Sequence, residues 1–226
     1  MVCVSMVAMS SFWPMPEASN KGLLIGVVGT AVVVFGGLVW AILSAPPSGP
    51  SVNAKVSFND VNDAFIGPES ATTVVRLYSD FQCPACKAAE PSINYAIEKY
   101  KDTVKFIWKD FPLMSIHPNA RLGANAARCA QDQGKFWEMK AKLYEEQSTW
   151  STSNDPSVDL KAYALALGLN TESFASCLDN RADDAKVMAS YQEGVRNSVD
   201  RTPTVFVGDD RRFNMTPAEW DQLLAH

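Results

Sequence analysis

Histidine is nearly missing from this chain, with two in 226 residues, His117 and the terminal His226. One CxxC occurs, Cys83-Pro84-Ala85-Cys86, and no second accompanies it. A structural zinc site wants four nitrogen or sulfur ligands at close spacing, so no metal site is expected. Charge is scarce at the front, where Glu17 and Lys21 are the only charged side chains before Pro50. The 19 basic and 24 acidic side chains that remain are intermixed. Without a basic stripe, nucleic acid is not expected as a partner, and a solvated mixed surface explains the charges. No internal repeat is present, so the sequence from about Lys55 onward reads as one folded unit.

What is present begins with a long apolar run. Gly22 to Leu43, GLLIGVVGTAVVVFGGLVWAIL, carries no charge, and about 20 apolar residues let a helix cross a bilayer core. The sequence predicts a short N-terminal segment over 1–21 and a transmembrane helix over 22–43. A cleaved signal peptide is the rival reading, but its apolar region covers about 7 to 15 residues behind a basic start. A cut after Ala45 would also leave Pro46 directly behind the broken bond. The GxxxG of Gly22 and Gly26 reads as lipid-facing glycine in so glycine-rich a span. Lys21 precedes the run and no positive charge follows before Lys55. That bias puts the N-terminus inside and the bulk of the chain at the extracytoplasmic face of a cell membrane, where disulfides persist. Residues 44–54, SAPPSGPSVNA, are too poor in apolar surface to fold alone and read as a tether. Cys3 falls on the cytoplasmic side and is given no role.

Within 55–226 the hydrophobic periods switch. TTVVRLY, Thr72 to Tyr78, is β-branched and apolar and reads as a buried strand. Behind Pro84, the positions Ala89, Ile93, Ala96, Ile97 and Tyr100 recur at helical spacing, with Pro91 expected to kink the helix. VKFIW, Val104 to Trp108, alternates as a second strand, with Val104, Phe106 and Trp108 set against Lys105 and Ile107. The pair of strands and the helix make a βαβ unit, parallel by default. Residues 118–199 are helical in rhythm throughout. TVFVG, Thr204 to Gly208, returns to strand, with a hairpin through Asp209 and Asp210. A last helix opens at Thr216, where Thr216 and Glu219 have capping-box spacing behind Pro217. The fold class is α/β.

The CxxC falls where a strand gives way to a helix. Free backbone N–H groups and the positive end of the helix dipole favour a thiolate at Cys83. Cys83 is therefore expected to ionise below the ordinary thiol value of about 8.5. Cys86, one turn on, is expected to be shielded and to close or cut disulfides with it. Half a zinc site and an inert structural disulfide are the competing readings. The first lacks ligands, and the second has no need of a strand-to-helix turn.

SDFQCPACKAAEP, with Pro91 eight residues after Cys83, and RTPTVFVG near the end resemble the DsbA-like thioredoxin family of extracytoplasmic disulfide oxidoreductases. The likeness runs from about Asp63 to the C-terminus and includes the helical insertion, whose ARCAQDQGKFWEMKAKLYE is similar to the family segment. It implies a thioredoxin-like fold with an inserted helical domain at 118–199 and catalysis by Cys83 and Cys86, with Pro84 and Ala85 as the supporting dipeptide. It also implies a cis Pro203 facing the motif, Thr202 holding substrate backbone, and no cofactor. The implied partners are proteins with cysteine thiols or disulfides and a membrane redox partner of DsbB or vitamin-K-epoxide-reductase type. Three positions depart from the pattern. Pro-Ala replaces the Pro-His of strongly oxidising members, which removes one source of thiolate stabilisation and predicts a less oxidising protein. Leu77 stands where relatives often bury an acid, leaving proton handling to another group, Asp80 or Lys109. Arg201 replaces a common glycine and puts a positive charge beside the substrate groove.

Cys129 and Cys177 fall on apolar faces of the helical block and read either as two buried thiols or as a bridge. The oxidising compartment and the resemblance favour a structural disulfide between them. His117 reads as packing at the start of the insertion. The expected activity is protein disulfide exchange, oxidation favoured; a reductase or isomerase, or a membrane-tethered module that binds clients without exchange, stay open.

Overall fold

The computed structural model describes residues 56–225. The expected span at 22–43, the tether at 44–54 and Cys3 lie outside the described residues. Among the described residues no helix is long and apolar enough to cross a membrane.

Two parallel strands, β2 (Thr73–Ser79) and β3 (Val104–Asp110), form the centre, joined by helix α1 (Pro84–Tyr100). Strand β1 (Phe65–Ile66) pairs antiparallel with the outer edge of β3, β4 (Thr204–Val207) pairs antiparallel with β2, and β5 (Asp210–Arg212) closes the order β1-β3-β2-β4-β5. The two-residue β1 is too short to leave a periodic signal. Its exit is fixed by Gly67, at φ +106°, where a Cβ would stand 2.0 Å from the Val104 carbonyl oxygen, an approach only glycine permits. The β4–β5 hairpin turns through Gly208 and Asp209, with Val207 opposite Asp210 and Gly208 at φ +59°, the geometry a two-residue hairpin loop needs.

Alternation along the strands makes two cores. Val75, Leu77, Phe106, Trp108 and Val205 face Ile93, Ala96 and Ile97 of α1, while Tyr78 and Phe206 face the other way with Phe111 and Val199. Strand β3 departs from the expected half-exposed pattern, because Ile107 and Lys109 are buried as well. The cause is helix α7 (Asp184–Arg196), which packs over that second face, so β3 is an inner parallel strand covered on both sides.

The insertion runs through α2 (Ala120–Gln131), α3 (Phe136–Glu145), the single turn α4 (Gln147–Trp150), α5 (Pro156–Ala166), α6 (Thr171–Asp179) and α7. Cys129 of α2 and Cys177 of α6 are joined by a disulfide across a sequence separation of 48. Arg128, beside that bridge, is bound by Asp63 at 2.8 Å and Asp110 at 2.6 Å, and Asp110 also accepts from the Trp108 indole at 2.9 Å. The final helix α8 (Pro217–Leu224) carries the full capping box of Thr216 and Glu219. Its Asp221 accepts from Tyr95, Lys99 and Tyr100 and ties it to the far half of α1.

Cross-linking a loop of this length removes conformational freedom from the unfolded chain, worth about 3–4 kcal/mol. Replacing Cys129 with Ser is therefore expected to lower the unfolding free energy by that order, and the denaturation midpoint with it, while Cys83 alkylates at its normal rate. An unchanged midpoint would show that the bridge constrains nothing.

Candidate functional site

Cys83 is the N-cap of α1, in extended conformation at φ −72° and ψ 120°, and Pro84 takes the first helical position. Proline suits that place because its missing N–H would have had no helical partner. The chain is turned into the helix by the Cys83 amide, which donates to the Asp80 carbonyl at 3.1 Å, and by the Cys83 carbonyl, which accepts from Lys87 at 3.2 Å. Cys83 and Cys86 are both free thiols, with 6% of Cys83 and none of Cys86 exposed.

The two sulfurs are electrostatically unlike. A hydrogen bond from the Cys86 thiol brings Cys83 down to about 5, against the cost of burial. Thr202 and the amides of Cys86 and Ala85 add to the effect. Burial, followed by the hydrogen bond to Cys83 and the charge on it, pushes Cys86 far up. Cys83 is thus a thiolate at neutral pH and Cys86 a protonated thiol. The histidine lacking at Ala85 is replaced by neutral donors arranged around the helix start.

Opposite the pair stands the Thr202-Pro203 loop, whose peptide bond is cis. The Thr202 carbonyl oxygen lies 3.7 Å from Cys83 Sγ. Arg201, next to it, is solvent-exposed, pairs with Asp200 at 3.0 Å and lies over the Phe213 ring at 5.2 Å. The charge expected beside the groove is therefore present, with a carboxylate held against it.

The turn before the motif is clamped from both sides. Asp80 accepts from the amides of Gln82 at 2.7 Å and Leu113 at 2.9 Å, and its second oxygen lies 2.7 Å from His117 Nδ1. His117 thus holds the motif's approach as well as the start of the insertion. From α4, the Gln147 amide donates to the carbonyls of Phe81 at 2.8 Å and Cys83 at 3.0 Å.

The expectation that Asp80 or Lys109 handles protons is corrected. Asp80 has both oxygens committed to the turn. Lys109 follows Trp108 in the strand and so points away from the cysteines, toward α7. There its ammonium meets Asp63 at 2.6 Å and Asp60 and Glu193 at 3.0 Å. Sequence reasoning also missed the groups that do lie under α1. Leu77 is buried in the same core as both cysteines. Ser79 Oγ lies 2.8 Å from the Tyr144 hydroxyl, and Glu90, on α1, pairs with Lys140 of α3 in the interior. The signal for Glu90 was its spacing of one helical turn from Cys86.

The direction of each shift fixes the pH behaviour. Cys83 ionises below its unfolded value of about 8.5, so its thiolate stabilises the reduced fold above that pH. The contribution is lost as pH falls through about 5. Alkylation of Cys83 followed against pH should accordingly show a midpoint near 5. Replacing Cys86 with Ala removes the largest cause and is expected to move that midpoint upward; an unmoved midpoint would put the cause elsewhere.

Comparison with known proteins places this geometry. The chain is 30% identical over 207 residues to the Na(+)/H(+) antiporter NhaA 3 of Salinispora tropica, covering 88% of this chain and 31% of that protein. It spans under a third of the curated relatives it matches first, so ion transport is named for those longer proteins and is not carried to this one. Among solved structures, oxidised BdbD from Bacillus subtilis superposes with a TM-score of 0.64 at 22% identity, over 73% of this chain and 91% of that one. Alpha-DsbA1 from Wolbachia pipientis gives 0.63 at 17%, over 73% and 92%. At these identities the likeness is one of fold, a thioredoxin-like fold shared with DsbA-like oxidoreductases. The sequence model described as Thioredoxin matches residues 59–226, taking in both strands of the βαβ unit, both cysteines and the insertion, and on that match the chain belongs to the thioredoxin family.

Proposed function

We propose that this chain is a thiol-disulfide oxidoreductase that exchanges disulfides with cysteine-bearing proteins through Cys83 and Cys86. The observation that carries the reading is the inequality of the two sulfurs, one ionised near pH 5 at a helix start and the other buried and protonated one turn away. A nucleophile and a resolving thiol need that division. An inert bridge does not.

In the oxidising direction, a client thiolate attacks Cys83 of the disulfide form, Cys86 leaves, and a second client thiol then displaces Cys83 as a thiolate. A thiolate that is stable as a leaving group stabilises the dithiol form and makes the disulfide a stronger oxidant. The low value at Cys83 therefore favours oxidation, in spite of the Pro-Ala dipeptide. The Thr202 carbonyl beside Cys83 suits an extended client backbone laid along the loop before Pro203. The apolar run at 22–43 supports a chain anchored in the cell membrane with this site on the extracytoplasmic side. There a membrane redox partner of DsbB or vitamin-K-epoxide-reductase type would return Cys83 and Cys86 to the disulfide. Reduction or isomerisation by the same pair is the second reading, since exchange chemistry runs both ways.

Changing Cys86 to Ser is expected to accumulate mixed disulfides between Cys83 and client proteins, read by non-reducing electrophoresis. If nothing is trapped and the wild type does not reduce insulin, the chain is a binding module. The potential of the couple then sets direction: nearer about −120 mV for an oxidase, nearer about −270 mV for a reductase.

A further inference from the structure

The disulfide between Cys129 and Cys177 has two unlike ends. Cys129 is enclosed in the core with 1% of it exposed, while Cys177 is half-buried at the edge of the same cluster. Exchange requires access to the sulfur under attack, so a thiolate arriving from outside meets the bridge at Cys177.

What stands beside Cys177 is a carboxylate. Helix α6 ends in a left-handed turn at Arg181, φ +49°, where the Arg181 amide donates to the Leu178 carbonyl at 3.2 Å and the Ala182 amide to the Cys177 carbonyl at 3.0 Å. This pair of bonds folds the chain back over the helix end. It brings Asp183 to the bridge, with Oδ2 3.4 Å from Cys177 Sγ and both sulfurs within 4.8 Å of the carboxylate. Asp183 is the N-cap of α7, a position where aspartate ordinarily accepts from the first helical amides, yet its side chain makes no such bond. Its Oδ1 pairs with Lys186 at 2.5 Å, and its Oδ2 is turned to a sulfur that, in a disulfide, has no hydrogen to donate. The helix start gains nothing from this placement. Nearby charges leave the carboxylate in force, because Lys186 is shared with Asp132 at 3.4 Å, while Arg121 and Arg181 act on Asp184.

We propose that Asp183 is an electrostatic guard that keeps thiol-disulfide exchange off the Cys129–Cys177 bridge. The step it opposes is attack of an incoming thiolate on Cys177 Sγ. A new S–S bond forms there, the bond to Cys129 breaks, and Cys129 leaves with the electron pair as a thiolate in the apolar core; the incoming thiol is oxidised and Cys129 is reduced. A negative charge beside the attacked sulfur repels both the arriving anion and the charge that builds on the sulfurs. The inference stands on the bridge alone, whatever Cys83 and Cys86 do.

The test is reduction of the oxidised full chain by two small thiols at neutral pH: mercaptoacetate, which carries an extra negative charge, and cysteamine, which carries a positive one. Samples are quenched with acid, labelled with N-ethylmaleimide, and the Cys129 and Cys177 peptides read by mass, with the Cys83 and Cys86 peptides as the internal control. In Asp183→Asn, mercaptoacetate is expected to open the bridge roughly 10-fold faster than in wild type, the size of one like-charge contact at this range in a partly screened setting. Cysteamine should gain far less. In 1 M salt, where the screening length falls to about 3 Å, the mercaptoacetate difference should shrink. Lys186→Gln, which keeps the carboxylate and removes its cation, should slow mercaptoacetate further. If Asp183→Asn speeds both thiols equally, the carboxylate merely braces the turn between α6 and α7. If it slows them, the carboxylate is a partner for the reduced Cys177 thiol. Either result, or an unchanged rate with mercaptoacetate, would overturn the guard.

Discussion

One constraint organises the site: Cys83 stands at the N-cap of α1 and Cys86 inside its first turn, which holds the first sulfur well below the ordinary thiol range and the second well above it. Everything nearby serves that asymmetry. Backbone N–H groups at the helix start face the outer sulfur, and the core shuts water away from the inner one. The result is a pair of chemically identical side chains with opposite ionisation, produced by position alone.

The surrounding fold keeps that position fixed. The turn before the helix is clamped by Asp80 on one side and by Gln147 on the other, so the carbonyls and amides that define the N-cap have little freedom. Beneath it, Phe81 stacks on Trp108 at 4.8 Å and leans on Tyr144 at 5.4 Å. The opposite face of the sheet carries a separate polar network around Lys109, Glu193 and Tyr78. Buried pairs of that kind add little net stability, but breaking one strands a charge. They make the second core intolerant of change without touching the sulfur chemistry.

Much of this was legible in the sequence, and the reasons are local. The β-branched run before Cys83, the helical spacing after Pro84 and the capping box at Thr216 are each decided by residues within a few positions of one another. The parallel pairing of β2 and β3 follows from the helix between them. What could not be read is what depends on cover from afar. Glu90 in KAAEPSINY looks like a solvent-facing acid until α3 is laid over it. Ile107 was expected on a polar face because nothing near it announces α7. Lys109 was misplaced although its parity was visible: a residue that follows Trp108 in a strand points to the opposite side. Asp80 was noticed for its charge, whereas its geometry makes it a brace.

Gln147, Tyr144 and Lys140 all come from the insertion; the first two reach under or against the strand-to-helix turn, and the third pairs with Glu90 further along α1. The reactivity of the motif is therefore not portable with its four residues. Transplanted onto a thioredoxin scaffold without this helical block, Cys-Pro-Ala-Cys would keep its helix start but lose its floor. Its chemistry would then revert to whatever the new host packs below it. The insertion is in this sense a tuning element, and relatives that vary it can change how the same two sulfurs behave while the motif stays untouched.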